Sequence, residues 1–188
     1  MRTFIAIDVS SEMINTLESL QSRFKTLGLH ASWTRPGNMH LTLKFLGEID
    51  PGRVPRLNEI LTETVAPFGS FRVSLDGVGV FPHLRNPRVL WVGLKDEEGT
   101  LARLQSAVDR AMAGEGFPPE TRKFSPHLTL ARIKSPKGKQ ALKNELETLD
   151  QTELEPHPCV VDAVHLYESQ LTPKGSIYTE LANFKLNP

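Results

Sequence analysis

Cysteine is nearly absent from this 188-residue chain, which has only Cys159. One thiol excludes an internal disulfide scaffold and a multi-cysteine zinc site. Cys159 therefore reads as a small buried apolar residue. An excess of either charge is also missing: lysine and arginine number 22, aspartate and glutamate 22, for a formal net charge of zero. That balance excludes a broad polybasic coat for nucleic acid, while a local basic groove stays compatible with it. No apolar run approaches the ~20 residues of a membrane-crossing helix. The first residues lack a basic flank followed by a long apolar core, so no signal peptide is expected and the expected location is cytoplasmic. The 14 prolines are scattered and punctuate elements instead of forming one stiff linker.

What remains is the profile of a folded domain, with 39% hydrophobic and 23% charged residues. Arg2 to Val9 alternates as a strand, with Phe4, Ala6 and Asp8 on one face. Ser10 or Ser11 caps a helix whose apolar stripe runs from Met13 to Leu27, and Gly28 stops it. A short strand at Ser32 to Arg35 leads through a turn at Pro36-Gly37-Asn38 to a strand at Met39 to Glu48. Asp50-Pro51 opens a second helix through Val65. Strands follow at Phe71 to Val80 and Arg88 to Leu94, then a helix around Leu101 to Met112. A strand at Pro126 to Ile133 precedes a fourth helix, Lys139 to Leu149. Strands at Val160 to Ser169 and Ser176 to Phe184 flank a turn at Pro173-Lys174-Gly175. Strand pairs interrupted by single helices predict an α+β class over a doubly wound parallel sheet.

One repeat stands out. His40-Leu41-Thr42-Leu43 recurs nearly half the chain later as His127-Leu128-Thr129-Leu130. Strand side chains alternate faces, so each histidine shares a face with its threonine and the leucines point the other way. The leucines then pack under helices while the polar pairs face a cleft. Two imidazoles and two hydroxyls converging there suit attack on a phosphodiester. One histidine takes a proton from water, the other protonates the departing oxygen, and the hydroxyls hold phosphate oxygens. Either histidine fits either role. Arg132 is the cation expected nearby, although its odd offset from His127 places it on the opposite face unless a bulge turns it.

A lone strand histidine is more often structural, and threonine is common in strands; duplication in a matching context carries the functional reading. A metal reading lacks acidic partners beside either motif and has no His-Glu-x-x-His. Phe81 and Phe124 are candidates for stacking on a base, while Trp33 and Trp91 read as core. Arg35, Arg88 and Lys44 are candidate phosphate contacts or plain surface charges. His30, His83, His157 and His165 lack a threonine companion and read as structural or surface residues, and Tyr178 as a core hydrogen-bond donor.

With these segments the chain resembles the 2H phosphoesterases, specifically the RNA 2′,3′-cyclic phosphodiesterases historically called 2′-5′ RNA ligases. The likeness also runs through Met1 to Asp8, Trp33 to Gly47, Gly79 to Pro82, Pro87 to Gly93, Phe124 to Arg132 and Leu171 to Tyr178. It implies one bilobal catalytic domain over residues 1–188, with two pseudo-symmetric lobes of antiparallel sheet, helices outside and a central cleft. It implies metal-independent hydrolysis of RNA 2′,3′-cyclic phosphate ends to 2′-phosphomonoesters, with no cofactor. By motif position His40 corresponds to the proton donor and His127 to the acceptor. Thr42 and Thr129 correspond to the phosphate-holding hydroxyls. The expected partner is RNA with a cyclic phosphate end or a small nucleotide cyclic phosphate, with no membrane contact and a monomeric state. Two alternatives remain at this level: an RNA ligase running the same chemistry in reverse, and a non-catalytic module that binds RNA ends.

Overall fold

Alternation and capping residues place most of the elements where the sequence puts them. The computed structural model describes residues 1–149, 154, 158–173 and 175–188. Among the described residues nine strands form: β1 (Arg2–Asp8), β2 (Ala31–Trp33), β3 (His40–Glu48), β4 (Phe71–Phe81), β5 (Val89–Lys95), β6 (His127–Ile133), β7 (Cys159–Val161), β8 (Ala163–Thr172) and β9 (Gly175–Lys185). Among the same residues α-helices lie between them: α1 (Ser11–Lys25), α2 (Val54–Val65), α3 (Thr100–Gly114) and α4 (Lys139–Thr148). Ser10 is the cap of α1, its hydroxyl accepting from the Met13 amide at 3.2 Å. Gly28 adopts φ +69° just beyond that helix.

The turn expected at Pro36–Asn38 forms as a 3-10 turn. Two local expectations change. Pro51–Arg53 is also a 3-10 turn, capped by Asp50, so the second α-helix begins at Val54. The strand expected over Val160 to Ser169 is two strands broken at Asp162. Tertiary pairing imposes that break: β7 pairs with β4, whereas β8 pairs with β1 and β9, so the chain changes sheets there. His157 and Lys174 lie outside the described residues.

The strands build two antiparallel sheets, β3-β1-β8-β9 and β2-β6-β5-β4-β7. The class is α+β, as the strand-pair pattern predicts, and bilobal, as the family resemblance implies. Helices α2 and α3 cover the four-stranded sheet, α3 against β3 and α2 against β9. Helix α1 reaches β6 of the other sheet through Gln21 and is tied to α4 by the Arg23–Glu145 ion pair. One hydrophobic core runs beneath both sheets and includes Leu41, Leu43, Leu128 and Leu130. The sheets meet along β3 and β6. The leucines of both motifs are buried in that core, and each histidine and threonine stands half-buried on the opposite face of its strand. Among the described residues no helix is long and apolar enough to cross a membrane.

Candidate active site

The two motifs have the same burial pattern over seven residues, from His40 to Leu46 and from His127 to Ile133. In both strands the histidine and threonine are half-buried and the leucines are buried. The backbone irregularity is also repeated. Against β1, Ala6 pairs with Thr42 and Ile5 with Lys44, leaving Leu43 as an extra residue. Against β5, Trp91 pairs with Thr129 and Leu90 with Ala131, leaving Leu130 extra. Each motif thus carries a β-bulge three residues after its histidine.

These bulges decide which later side chains join the site. Beyond an extra residue the alternation reverses phase. Arg132 therefore turns onto the face of His127 and Thr129, opposite Val89, which itself pairs with Phe81. That resolves the odd offset that sequence alternation left against Arg132. Phe45 takes the equivalent place in β3, opposite Phe4, and is 59% exposed. Lys44 turns inward and is 7% exposed, donating to Asp109 at 2.5 Å and to the Pro118 carbonyl at 2.9 Å. It is a buried strut between β3 and α3, neither a surface charge nor a phosphate contact.

A buried glutamine stands behind each bulge. Gln21 of α1, 2% exposed, donates from Nε2 to the Leu130 carbonyl at 2.8 Å and to that of Thr34 at 2.7 Å. Gln105 of α3, 8% exposed, donates to the Leu43 carbonyl at 3.4 Å. A bulge disturbs the ladder, and these amides supply donors to carbonyls that burial would otherwise make costly. The sequence signal was available: each glutamine interrupts the apolar stripe of its helix.

The two imidazoles have similar backbone anchors and different neighbours. His127 Nδ1 lies 2.6 Å from the Ser125 carbonyl, two residues earlier, and His40 has a backbone hydrogen bond to Asn38, also two residues earlier. In the neutral ring an Nδ1–H donated to Ser125 leaves His127 Nε2 as the free acceptor. The Phe4 ring stacks on His40 at 4.7 Å and the Tyr178 ring meets it edge-on at 5.1 Å. Phe81 meets His127 edge-on at 4.9 Å, with Trp91 at 6.4 Å. Trp91 thus lies on the site face, in correction of its reading as core. A Cβ on Gly79 would come within 2.5 Å of the Trp91 ring, so the missing side chain gives the indole its seat. Trp33 does pack against the core. Phe124 also packs against the core, and no ring contact joins it to His127 among the described residues.

Burial pulls both histidines below their ordinary range. His40 is lowered to about 4, with the Asp8 carboxylate and the Asn38 bond opposing the fall. His127 is lowered by burial and further by the Arg132 cation, while its bond to Ser125 opposes the shift. The nearby charges thus differ in sign, negative at His40 and positive at His127.

Asp8, Phe4, Tyr167 and Tyr178 surround His40 without having been singled out as site residues. Their signal was partial: Phe4 and Asp8 share a strand face, but only pairing with β3 brings it to His40. His165 is not an isolated surface histidine, since its Nδ1 lies 2.7 Å from Glu180 and its Nε2 3.7 Å from Asp8.

A two-lobed, antiparallel α+β fold with a duplicated histidine–threonine face at its seam defines a phosphoesterase class, and known structures share it. A Thermus thermophilus protein of known structure superposes with a TM-score of 0.80 at 27% identity, covering 99% of this chain and 98% of that one. Escherichia coli LigT in its apo form gives 0.78 at 25% identity, covering 100% and 98%. The chain belongs to the 2′-5′ RNA ligase superfamily, whose sequence profile matches residues 9–172. Among its relatives, an RNA 2′,3′-cyclic phosphodiesterase of Methanothermobacter thermautotrophicus is 33% identical over 186 residues, 99% of each chain. An enzyme of the same name from Archaeoglobus fulgidus is 35% identical over 189 residues, 98% of this chain and 100% of that one.

Proposed function

We propose that this protein hydrolyses RNA 2′,3′-cyclic phosphate ends to 2′-phosphomonoesters, with His40 as general acid and His127 as general base. The observation that carries the reading is the duplicated face: two half-buried imidazoles, each beside a threonine hydroxyl, on strands that meet at the seam of the lobes. Full-length likeness to relatives named RNA 2′,3′-cyclic phosphodiesterase supports the substrate class.

In the step itself, Nε2 of neutral His127 takes a proton from water as the water oxygen bonds to phosphorus. The P–O3′ bond breaks, and O3′ receives a proton from His40. The phosphate stays on O2′, and a proton transfer from His127 back to His40 through solvent resets the pair. Thr42 and Thr129 donate to the non-bridging oxygens, and Arg132 offsets their charge. Phe81 borders the His127 side, where its exposed portion is the surface offered to a base. The reaction draws on proton transfer and hydrogen bonding, with no metal or cofactor assigned a step.

The charged neighbours support this division of roles over its reverse. A carboxylate opposite His40 favours its cationic form, and a guanidinium near His127 favours its neutral form. The entering phosphate anion supplies further negative charge at the face of both rings and raises them from their values in the free protein.

The decisive experiment incubates the protein with RNA ending in a 2′,3′-cyclic phosphate and identifies the terminal isomer. A 2′-phosphomonoester is expected. A 3′-phosphomonoester, or an unchanged cyclic end under conditions where the RNA is bound, would contradict the proposal. Joining of a 5′-hydroxyl RNA in place of hydrolysis would favour the ligase reading.

A further inference from the structure

Gly93 is the cross-strand partner of His127, whereas Asp8 is the cross-strand partner of His40. Directly opposed residues of an antiparallel pair share a face. The pseudo-symmetric site therefore contains one asymmetric carboxylate, and it is elaborately held. The Tyr167 hydroxyl lies 2.8 and 3.1 Å from the two Asp8 oxygens. His165 Nε2 lies 3.7 Å from Asp8 Oδ2, and its Nδ1 lies 2.7 Å from Glu180 Oε2. Asn183 donates to the other Glu180 oxygen at 3.0 Å. The rings form a column on this sheet: His40 on Phe4 at 4.7 Å, Phe4 on Tyr167 at 5.4 Å, and Tyr167 on His165 at 5.7 Å. Burial and the Asp8 carboxylate both raise Tyr167, which keeps its hydroxyl a donor.

We propose that Asp8 is the positioning carboxylate of the general acid: its negative charge favours the protonated His40 ring against the burial that disfavours it, and Tyr167 with the His165–Glu180 pair fixes Asp8 for that task. The inference rests on His40 being the donor. Among groups on the packed elements, β1 brings Asp8, β8 brings His165 and Tyr167, and β9 brings Tyr178 and Glu180. Lys44, on the same strand as His40, is turned away toward Asp109. Strand β6 brings His127 and Arg132, which are not negative. Asp8 is thus the acidic side chain directly opposed to His40, while Glu180 is engaged by His165 and Asn183. An imidazole taken out of water favours its neutral form, which has no proton to donate. An opposed carboxylate counters that loss before the substrate arrives. Asp8 does not need to touch the reacting atoms.

The test uses the full chain with Asp8→Asn, Asp8→Glu and Tyr167→Phe. Two readings are made: kcat and KM against pH on an RNA with a cyclic phosphate end, and NMR titration of the His40 ring in the free protein. An acid must be protonated, so activity falls as pH rises through its pKa. Asp8→Asn is expected to lower the His40 midpoint by about one unit or more and to move the high-pH limb of the rate profile the same way. The loss falls on kcat more than on KM. Asp8→Glu restores part of the shift, and Tyr167→Phe produces a smaller shift in the same direction. If the Asp8→Asn protein titrates His40 like the wild type, the proposal is overturned. If the midpoint moves while the high-pH limb stays, the donor reading beneath the proposal is overturned. The NMR arm requires only a folded protein, and should Asp8→Asn fail to fold, Tyr167→Phe supplies it: an unmoved His40 midpoint there would overturn the proposal.

Discussion

At the residue scale the site is governed by what surrounds each imidazole. General acid–base groups typically contribute ~10²–10⁴-fold each. His40→Ala and His127→Ala are each expected to lower kcat by about that amount, measured on a cyclic phosphate RNA, with an unchanged circular dichroism spectrum. Thr42→Val and Thr129→Val remove one hydrogen bond to a charged phosphate, worth roughly 1.5–3 kcal/mol. Each should therefore reduce kcat/KM by about one to two orders of magnitude. Arg132 acts on the pH profile with a defined sign. Its cation depresses His127, and a general base must be deprotonated, so activity falls as pH drops through the His127 pKa. Arg132→Gln removes the depression, raises His127 and moves the low-pH limb of kcat/KM to higher pH. A profile whose low-pH limb stays in place would count against His127 as the base.

At the element scale, the bulges at Leu43 and Leu130 do what regular alternation cannot. They keep the histidine and threonine on the seam face and bring the residue five places after each histidine back to it. Residues Phe45 and Arg132 owe their exposure to this change of phase, as Lys44 and Ala131 owe their burial. The buried glutamines come from helices of the opposite half: α1 supports β6, and α3 supports β3. Gln21→Leu leaves the buried Leu130 carbonyl without its side-chain donor. Leaving a buried polar group unsatisfied costs about 1–3 kcal/mol, to be read from the urea midpoint at constant m-value. Because the same bulge turns Arg132, KM should rise as well. A variant with wild-type stability would show that the Thr34 amide, which donates to the same carbonyl at 2.9 Å, suffices.

On the scale of the whole molecule, the lobes are interleaved and do not divide the chain into successive halves. The four-stranded sheet takes β1 and β3 from the beginning and β8 and β9 from the end. The other sheet takes β2 from the beginning and β7 from near the end. Both rest on one hydrophobic core. A chain built this way is expected to unfold in one cooperative step, with coincident urea transitions by far-UV circular dichroism and tryptophan fluorescence. Two separated transitions would indicate lobes that fold independently. Because the proposed chemistry assigns every proton to a side chain, turnover is expected to survive EDTA at full rate. A loss restored by a divalent cation would require a different mechanism.

Much of this was legible in one dimension. Alternation in Arg2 to Val9 and in the two tetrapeptides fixed which side chains share a face, because strand period is a local property. Capping at Ser10 and the stop at Gly28 were local too. The repeated histidine–threonine pair was by itself the basis for proposing a two-sided proton-transfer site. Other features depended on pairing between distant segments. The split at Asp162 follows from two sheets competing for one stretch of chain. Arg132 gains its place, and Lys44 loses its surface, through bulges defined only against β5 and β1. Trp91 left the core because it stands opposite Thr129. The opposing charges near His40 and His127 arise from strands that sequence order keeps far apart. Local pattern determined the chemistry each residue offers, and tertiary pairing decided the neighbours that tune it, because a side chain's electrostatic environment is set by distance in space and not by distance along the chain.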